Sequence, residues 1–468
     1  MDTKIALHPD PARGPRYRAL ADAICDGVAS GAIAAGERLP PVRELSFRLK
    51  ISPGAVARAY RLATERGALE AAVGRGTFAR AAYAAGRAPA FQLQALLEAG
   101  PPETLDLRGN QAVDVGQDAE IGAALARLMA RHHGRPPLTG YRRREDDPEA
   151  IETLAGWLRA GGVPAEAERT LVVSGAQAGV VACLAALARG GEGVVLVETT
   201  LHPGLRDGAA TLGLRLEPVA CDAEGMRPDA LDAACARLRP DAAQLSPTLQ
   251  NPTLATMGEA RRREIVAVAR RRNLMLVEDD VYGRLIHPAP TPLAALAPER
   301  TWHVTSLSKC VAAGLRAGLV LTPPGRLTAT FRAYQALAHQ TPWLVKALAA
   351  ELVAGGEAER ILARVTEETA ARAALAARLL GPFGARTHPA ASFAHCPLEA
   401  PWSAGEFISA AAAAGVLLPP PSIYQVGRTP DFVRIALGAR LSRDALEQAL
   451  TRLASLLREG PHLCCAAT

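Results

Sequence analysis

Lys309 closes the run Ser306-Leu307-Ser308-Lys309, directly after an apolar segment, His303 to Thr305, that reads as a buried strand. An amine held at a strand end can condense reversibly with an aldehyde, provided its neighbours hold the molecule that carries the aldehyde. Ser306 before it and Arg316 after it are phosphate-holding types. Ser174-Gly175-Ala176-Gln177 sits at a strand-to-helix junction, where Gly175, Ala176 and Gln177 would offer backbone N–H groups to an anion. Asp279 ends the run from Leu274 to Glu278 and puts a carboxylate where a protonated ring nitrogen could be paired, with Asp280 as the competitor for that role. Tyr282, and Asn251 in Asn251-Pro252-Thr253, are donors for a phenolic oxygen. A lone lysine or a lone Ser-Gly-Ala is ordinarily structural. In combination, these groups describe a pocket for pyridoxal 5'-phosphate (PLP).

The elements that must position these groups are short apolar runs alternating with helical stretches: Thr170 to Ser174, Val194 to Val197, Ala242 to Ser246, Leu274 to Val277, His303 to Thr305 and Ala317 to Leu321. That alternation predicts an α/β domain with a mostly parallel sheet and helices on both faces. No internal repeat is visible. A chain of 468 residues accommodates this domain, from residue 105 onward, and one smaller domain before it. Residues 81–104 read as a linker, with one short helix around Gln92 to Glu98.

Residues 1–80 have a different pattern. Tyr17, Leu20, Ile24 and Val28 mark one face of a helix between Pro15 and Gly31, and a second helix begins near Pro41. Ser52 is placed as the N-cap, with Pro53 at the first position, of a third helix whose buried stripe is Val56, Tyr60 and Ala63 and which ends at Gly67. Leu69 to Phe78 follows as a hairpin with Gly74-Arg75-Gly76 as its turn. Three helices and a hairpin make a winged helix-turn-helix. This segment carries 13 Lys/Arg against 8 Asp/Glu, an excess of +5 out of +6 for the whole chain, which fits a footprint on a phosphate backbone.

Composition is that of a globular protein, 49% hydrophobic and 21% charged. The eight cysteines lack the spacing of a zinc site or a disulfide framework, and reduced thiols point to the cytoplasm. With neither a signal-like N-terminus nor an apolar run of membrane-spanning length, the expectation is a soluble intracellular protein with no bound metal.

Gly36-Glu37-Arg38-Leu39-Pro40-Pro41-Val42-Arg43-Glu44-Leu45, the stretch from Ser52 to Tyr60, and Gly74-Arg75-Gly76-Thr77-Phe78 resemble the GntR family of bacterial regulators. The resemblance implies that the third helix enters the major groove of double-stranded DNA while the wing tip follows the minor groove, with Arg43, Ser52 and Arg75 as DNA contacts. Related sequences often carry arginine and threonine where this chain has Pro53 and Ala55. Arg58 and Arg61 are candidates to replace those contacts.

The order Gly-Ala-Gln, Asn-Pro-Thr, Asp-Asp-x-Tyr, Ser-x-Ser-Lys, Gly-Leu-Arg resembles the fold-type I, class I/II aminotransferases from about Leu105 to the last helix. That resemblance implies a smaller C-terminal subdomain from about residue 340 and a homodimer with sites at the subunit interface. It assigns Tyr141 to the neighbouring subunit's cofactor phosphate and Arg434 to a substrate or effector carboxylate. His202 falls where the family usually stacks an aromatic ring on the cofactor. The two halves in this order resemble the MocR regulators. They imply a DNA-binding regulator in which an amino-compound effector displaces Lys309 by aldimine exchange, with operator half-sites bound by the dimer. A PLP-dependent aminotransferase carrying a DNA-binding passenger is the alternative reading of the same residues.

Overall fold

The computed structural model describes residues 16–29, 33–34, 36–65, 67–72, 76–80, 101, 103–141, 143–187, 193–427 and 429–461. The chain divides into two compact units, Met1–Gln92 and Leu93–Thr468. The anticipated short helix around Gln92 to Glu98, and Arg75 at the wing tip, lie outside the described residues.

In the first unit, α1 (Arg16–Ala29), α2 (Val42–Leu49) and α3 (Pro53–Glu65) precede a hairpin of β1 (Leu69–Ala72) and β2 (Gly76–Ala79). The apolar periodicity of α1 and α3 becomes one core, in which Leu20, Ile24, Val28, Leu45, Val56, Ala59 and Ala63 are buried. Burying such side chains stabilises by about 1.5–3 kcal/mol each before conformational entropy is charged against it. Ser52 Oγ accepts from the Ala55 N–H at 3.3 Å, capping α3 as its sequence requires. The wing differs from expectation in one detail. Gly76 opens β2, paired with Ala72, instead of closing the turn. At its φ of +117° a Cβ would meet Arg38 Nε at 2.8 Å, so glycine lets Arg38 cross the hairpin.

The second unit is built on a seven-stranded sheet. Its strands are β3 (Thr170–Val173), β4 (Val194–Glu198), β5 (Arg215–Val219), β6 (Ala242–Leu245), β7 (Met275–Asp279), β8 (Thr301–Ser306) and β9 (Gly318–Leu321). Their spatial order is β3-β9-β8-β7-β6-β4-β5. Every pairing is parallel except those of β9, which is antiparallel to both β3 and β8. This is the mostly parallel sheet that the alternation of apolar runs and helices predicts. Near-continuous apolar strands fit burial on both faces. In β3 and β9 every residue is buried.

The topology collects the chemistry on one edge. β3, β4, β6, β7 and β8 all point the same way, and β9 begins where β3 and β8 end, with Gly318 opposite Val173 and Ser306. Residues after the first five strands, and those just before β9, therefore share the carboxyl edge, where α/β sheets bind ligands.

Beyond the sheet, a further core gathers Leu107 with buried residues between 373 and 456, including Phe407, Leu446 and Leu450. It packs around the antiparallel pair β10 (Phe393–Pro397) and β11 (Phe432–Ala436). No helix among the described residues is long and apolar enough to cross a membrane.

Candidate functional site

Lys309 leaves the end of β8 through a tight turn and its Nζ donates to the Asn110 carbonyl at 2.6 Å. Burial pushes this amine down to about 8. The Arg434 and Arg316 guanidinium groups act in the same direction, and Asp279 opposes them. A lysine so placed is neutral, and so nucleophilic, more often near neutral pH than an exposed lysine is.

Asp279 is the last residue of β7. Strand alternation sends Glu278 and Asp280 to the opposite face. There Glu278 meets His303 Nδ1 at 2.9 Å and accepts from the Leu293 and Ala294 N–H groups. Asp280 packs against Gly283, whose added Cβ would lie 2.2 Å from its carboxylate. Asp279 is the carboxylate in electrostatic reach of Lys309. Burial, reinforced by Asp280, pushes its carboxyl up to about 7, and its Oδ1 is buried without a hydrogen-bond partner.

The anion cradle is assembled from three segments. Gly175, at φ +89°, lies under Arg316, and a Cβ there would stand 2.5 Å from the Arg316 Nη2. Gly318 passes so close that its Cβ would meet the Gly175 carbonyl carbon at 2.5 Å. The helix starting at Ala176 opens over this point, and Arg316 Nη2 donates to the Ser174 carbonyl at 3.3 Å. Gln177 packs against Gly204, two residues beyond His202. Ser306 Oγ accepts from the Ser308 N–H at 3.4 Å in the turn that leads to Lys309.

His202 caps the helix Pro203–Thr211, its Nδ1 accepting from the Gly204 N–H at 3.2 Å. The neutral ring therefore carries its proton on Nε2. Burial, then the cations Lys309, Arg434 and Arg316, push it down to about 3. An uncharged flat ring beside those cations is compatible with stacking.

Arg434, on β11, is 2% exposed. Its Nε and Nη2 donate to the Tyr424 hydroxyl at 2.9 and 2.5 Å, and Nη2 also donates to the Arg108 carbonyl at 2.5 Å. Nη1 is buried with no partner. An unsatisfied buried cationic donor is costly, and a carboxylate arriving there would relieve it. Tyr282 is buried, and its hydroxyl accepts from Asn110 Nδ2 at 2.9 Å. Asn251 lies in the loop after β6 with its side-chain oxygen buried and unpaired.

Tyr141 stands apart from this set. It is 86% exposed, its ring 4.8 Å from that of His339, on the wall of a cavity of about 260 Å³ that also involves Arg143, Tyr334 and Trp343. Sequence reasoning missed Asn110, Arg108 and Tyr424. Arg108 meets Arg434 through its backbone carbonyl, which leaves no side-chain signature, Asn110 serves through both its carbonyl and its side-chain amide, and Tyr424 carries no motif of its own.

The residues present fit PLP. A glycine-floored cradle under Arg316, an unpaired carboxylate oxygen at Asp279 and a perturbed lysine are complementary to a phosphate, a protonated ring nitrogen and an aldehyde.

In the first unit, Arg43 and Ser52 are exposed, as is Arg61 on α3. The Arg58 guanidinium lies over the Tyr17 ring, 4.9 Å from its centroid, so within this unit it packs α3 against α1.

Comparison with known proteins agrees with both halves. The model of the family described as aminotransferase class I and II matches residues 105–453, and that described as bacterial regulatory proteins, gntR family, matches residues 16–79. The chain is 28% identical over 453 residues, 96% of each protein, to the uncharacterized HTH-type transcriptional regulator YdeF of Bacillus subtilis. It is 29% identical over 341 residues, 71% of each, to the HTH-type pyridoxine biosynthesis transcriptional regulator PdxR of Corynebacterium glutamicum. Among solved structures it resembles LysN, an alpha-aminoadipate aminotransferase from Thermus thermophilus, with a TM-score of 0.69 and 24% identity over 80% of this chain and 96% of that one.

Proposed function

Because this chain belongs to the class I and II aminotransferase family and, through its first domain, to the gntR family of bacterial regulatory proteins, the layout of the MocR-type regulators, we propose that it is regulated by an amino compound through PLP held at Lys309. A gntR-type DNA-binding regulator fused to an aminotransferase-like domain needs a signal that the second domain can detect. The observation that carries this reading is the half-buried Lys309 at the end of β8, its Nζ on the Asn110 carbonyl and within electrostatic reach of Asp279, Arg316 and Arg434.

When bound, PLP supplies a carbonyl for amine exchange and an electron-withdrawing ring. Gly175, Ala176 and Gln177 at the helix N-terminus, with Ser306 and Arg316, would hold its phosphate. Asp279 would keep the ring nitrogen protonated, and Asn251 and Tyr282 would donate to the phenolic oxygen. Lys309 Nζ would be the amine that holds the cofactor, and its lowered basicity favours the neutral form that such a bond requires. Arg434 Nη1, lacking a partner, selects amines that bear a carboxylate. In this reading two copies associate, Tyr141 completes the neighbour's phosphate site, and Arg43, Ser52, Arg61, Arg75 and Arg58 serve contact with paired operator half-sites. The domains are then residues 1–80, a linker 81–104, and 105–468 with a smaller subdomain from about 340, and the protein acts in the cytoplasm.

The test is spectroscopic. Protein equilibrated with PLP should show the visible absorption band of lysine-bound cofactor, and Lys309→Ala should abolish it. A colourless wild type would refute the assignment. Sustained turnover of an amino acid with a keto acid would instead support the aminotransferase reading.

A further inference from the structure

The groups around Lys309 come from two bodies of the second unit. Asn251 belongs to the loop that follows β6 of the large sheet, whereas Arg434 stands on β11 of the separate antiparallel pair. They must stay in register if one ligand is to meet both.

His395 joins these two bodies. It sits on β10 directly opposite Arg434 of β11. Residues opposite each other in an antiparallel pair project from the same face, so the imidazole and the guanidinium leave this pair side by side. The ring is 8% exposed and stacks on Phe432, also of β11, with centroids 4.8 Å apart and planes 25° apart. His395 Nδ1 lies 3.1 Å from the Pro252 carbonyl, the residue next to Asn251. A carbonyl only accepts, so the imidazole must carry its proton on Nδ1 and donate it.

The rest of the Asn251 loop is held from the sheet side. Arg262 donates to the carbonyls of Pro247 and Met257 and to Thr248 Oγ1, and Gln250 Oε1 accepts from the Thr253 N–H and hydroxyl. The Arg262 bonds fix the two ends of the loop, the Gln250–Thr253 bonds close it over Asn251 and Pro252, and Gln250 Nε2 donates to the Thr200 carbonyl beyond β4. All of these come from the sheet side, whereas the bond from His395 to Pro252, next to Asn251, comes from the strand pair that carries Arg434. The β10 strand is itself held on both sides, since His395 exchanges backbone hydrogen bonds with Arg386 and pairs with Arg434. It is a firm mount for the ring.

We propose that His395 is a positioning residue: by donating to the Pro252 carbonyl it ties the Asn251 loop to the strand pair bearing Arg434, and so sets where Asn251 donates to the cofactor's phenolic oxygen. The inference rests on the PLP reading above. In this proposal His395 acts through Asn251 and is assigned no contact of its own with the cofactor.

A double-mutant cycle on the full-length, PLP-loaded protein tests it. The readout is the pH midpoint at which the visible absorption band converts, which responds to hydrogen bonding at the phenolic oxygen, and no effector is needed. Asn251→Ala gives the reference shift. His395→Ala should shift the midpoint in the same direction by at least half as much, and the double variant should shift no further than Asn251→Ala alone. His395→Asn, whose amide nitrogen falls near the Nδ1 position, should restore the wild-type midpoint and also guards against a folding defect in the alanine variant. An unshifted midpoint in His395→Ala, an additive double variant, or failure of His395→Asn to restore the midpoint while its thermal unfolding matches wild type would each overturn the proposal. A wild type with no visible band would be a different failure, that of the PLP reading itself.

Discussion

Replacing Asp279 by asparagine should make the cofactor-free protein more stable and its hold on PLP weaker. The carboxyl is displaced from an ordinary 3.8 to about 7, first by burial and then by Asp280, against the opposing pull of Lys309 and His303. A raised carboxyl destabilises the fold as pH rises. Below about pH 4 the folded and unfolded chains are both protonated and the group costs nothing. Between about pH 4 and 7 the unfolded chain ionises while the folded one retains its proton, and above about pH 7 the full penalty applies. A displacement of about 3 units at about 1.4 kcal/mol each sets an upper limit near 4 kcal/mol. Asparagine has the same shape and no charge to bury. Cofactor-free Asp279→Asn should therefore exceed wild type by up to about 2 kcal/mol near pH 5.5 and up to about 4 near pH 8.5, the gap widening by about 2 kcal/mol. Urea unfolding of the second unit at the two pH values reads this directly. With PLP the order reverses, because an amide cannot pair with a protonated ring nitrogen. Loss of one charge-assisted hydrogen bond, about 1.5–3 kcal/mol, weakens PLP binding by roughly 10- to 100-fold. A stability gap that does not change with pH, or an asparagine variant less stable than wild type near pH 8.5, would refute the placement of this carboxylate.

Two further outcomes follow from the geometry. Arg434→Lys keeps the charge but loses the planar fork, so it should weaken binding of L-alanine to the PLP-loaded protein by roughly 10- to 100-fold while leaving ethylamine nearly unaffected. Equal effects on both probes in a spectral titration would remove Arg434 from carboxylate selection. Arg43→Ala should weaken DNA binding about equally across sequences and lower the slope of log K against log salt by about one, with PLP binding unchanged. An unchanged slope in a fluorescence anisotropy titration would show that Arg43 makes no phosphate contact.

Part of this site was legible in the sequence because the sheet orders it. Lys309, Asp279, Gly175 and Arg316 are all within a few residues of a strand end, and strand ends can be located from apolar runs and the helix starts that follow them. The choice between Asp279 and Asp280 depends only on the two-residue alternation of β7, once the strand has its correct end. What the chain did not reveal depends on long-range partners. The Asn110 carbonyl accepts from Lys309 across 199 positions and the Arg108 carbonyl from Arg434 across 326. Any residue type can present a carbonyl, so neither segment advertises itself. Arg58 shows the same limit within the smaller unit. The Tyr17 ring that its guanidinium covers lies on another helix, and neither helix's own pattern pairs the two.

This difference bears on how a regulator could evolve from a catalytic fold. Strand-end groups fix which chemistry is available, and they are local, so a family can retain them together. Long-range contacts, such as that between His395 and the Pro252 carbonyl, fix how the strand pair bearing Arg434 is seated on the sheet. On the proposed reading, a change in those contacts would alter the response to a bound amine while leaving the lysine, carboxylate and phosphate-holding groups in place. The substitutions that separate a sensor from a transaminase should therefore be sought among such connecting residues before the lysine, carboxylate and phosphate groups that the two would share.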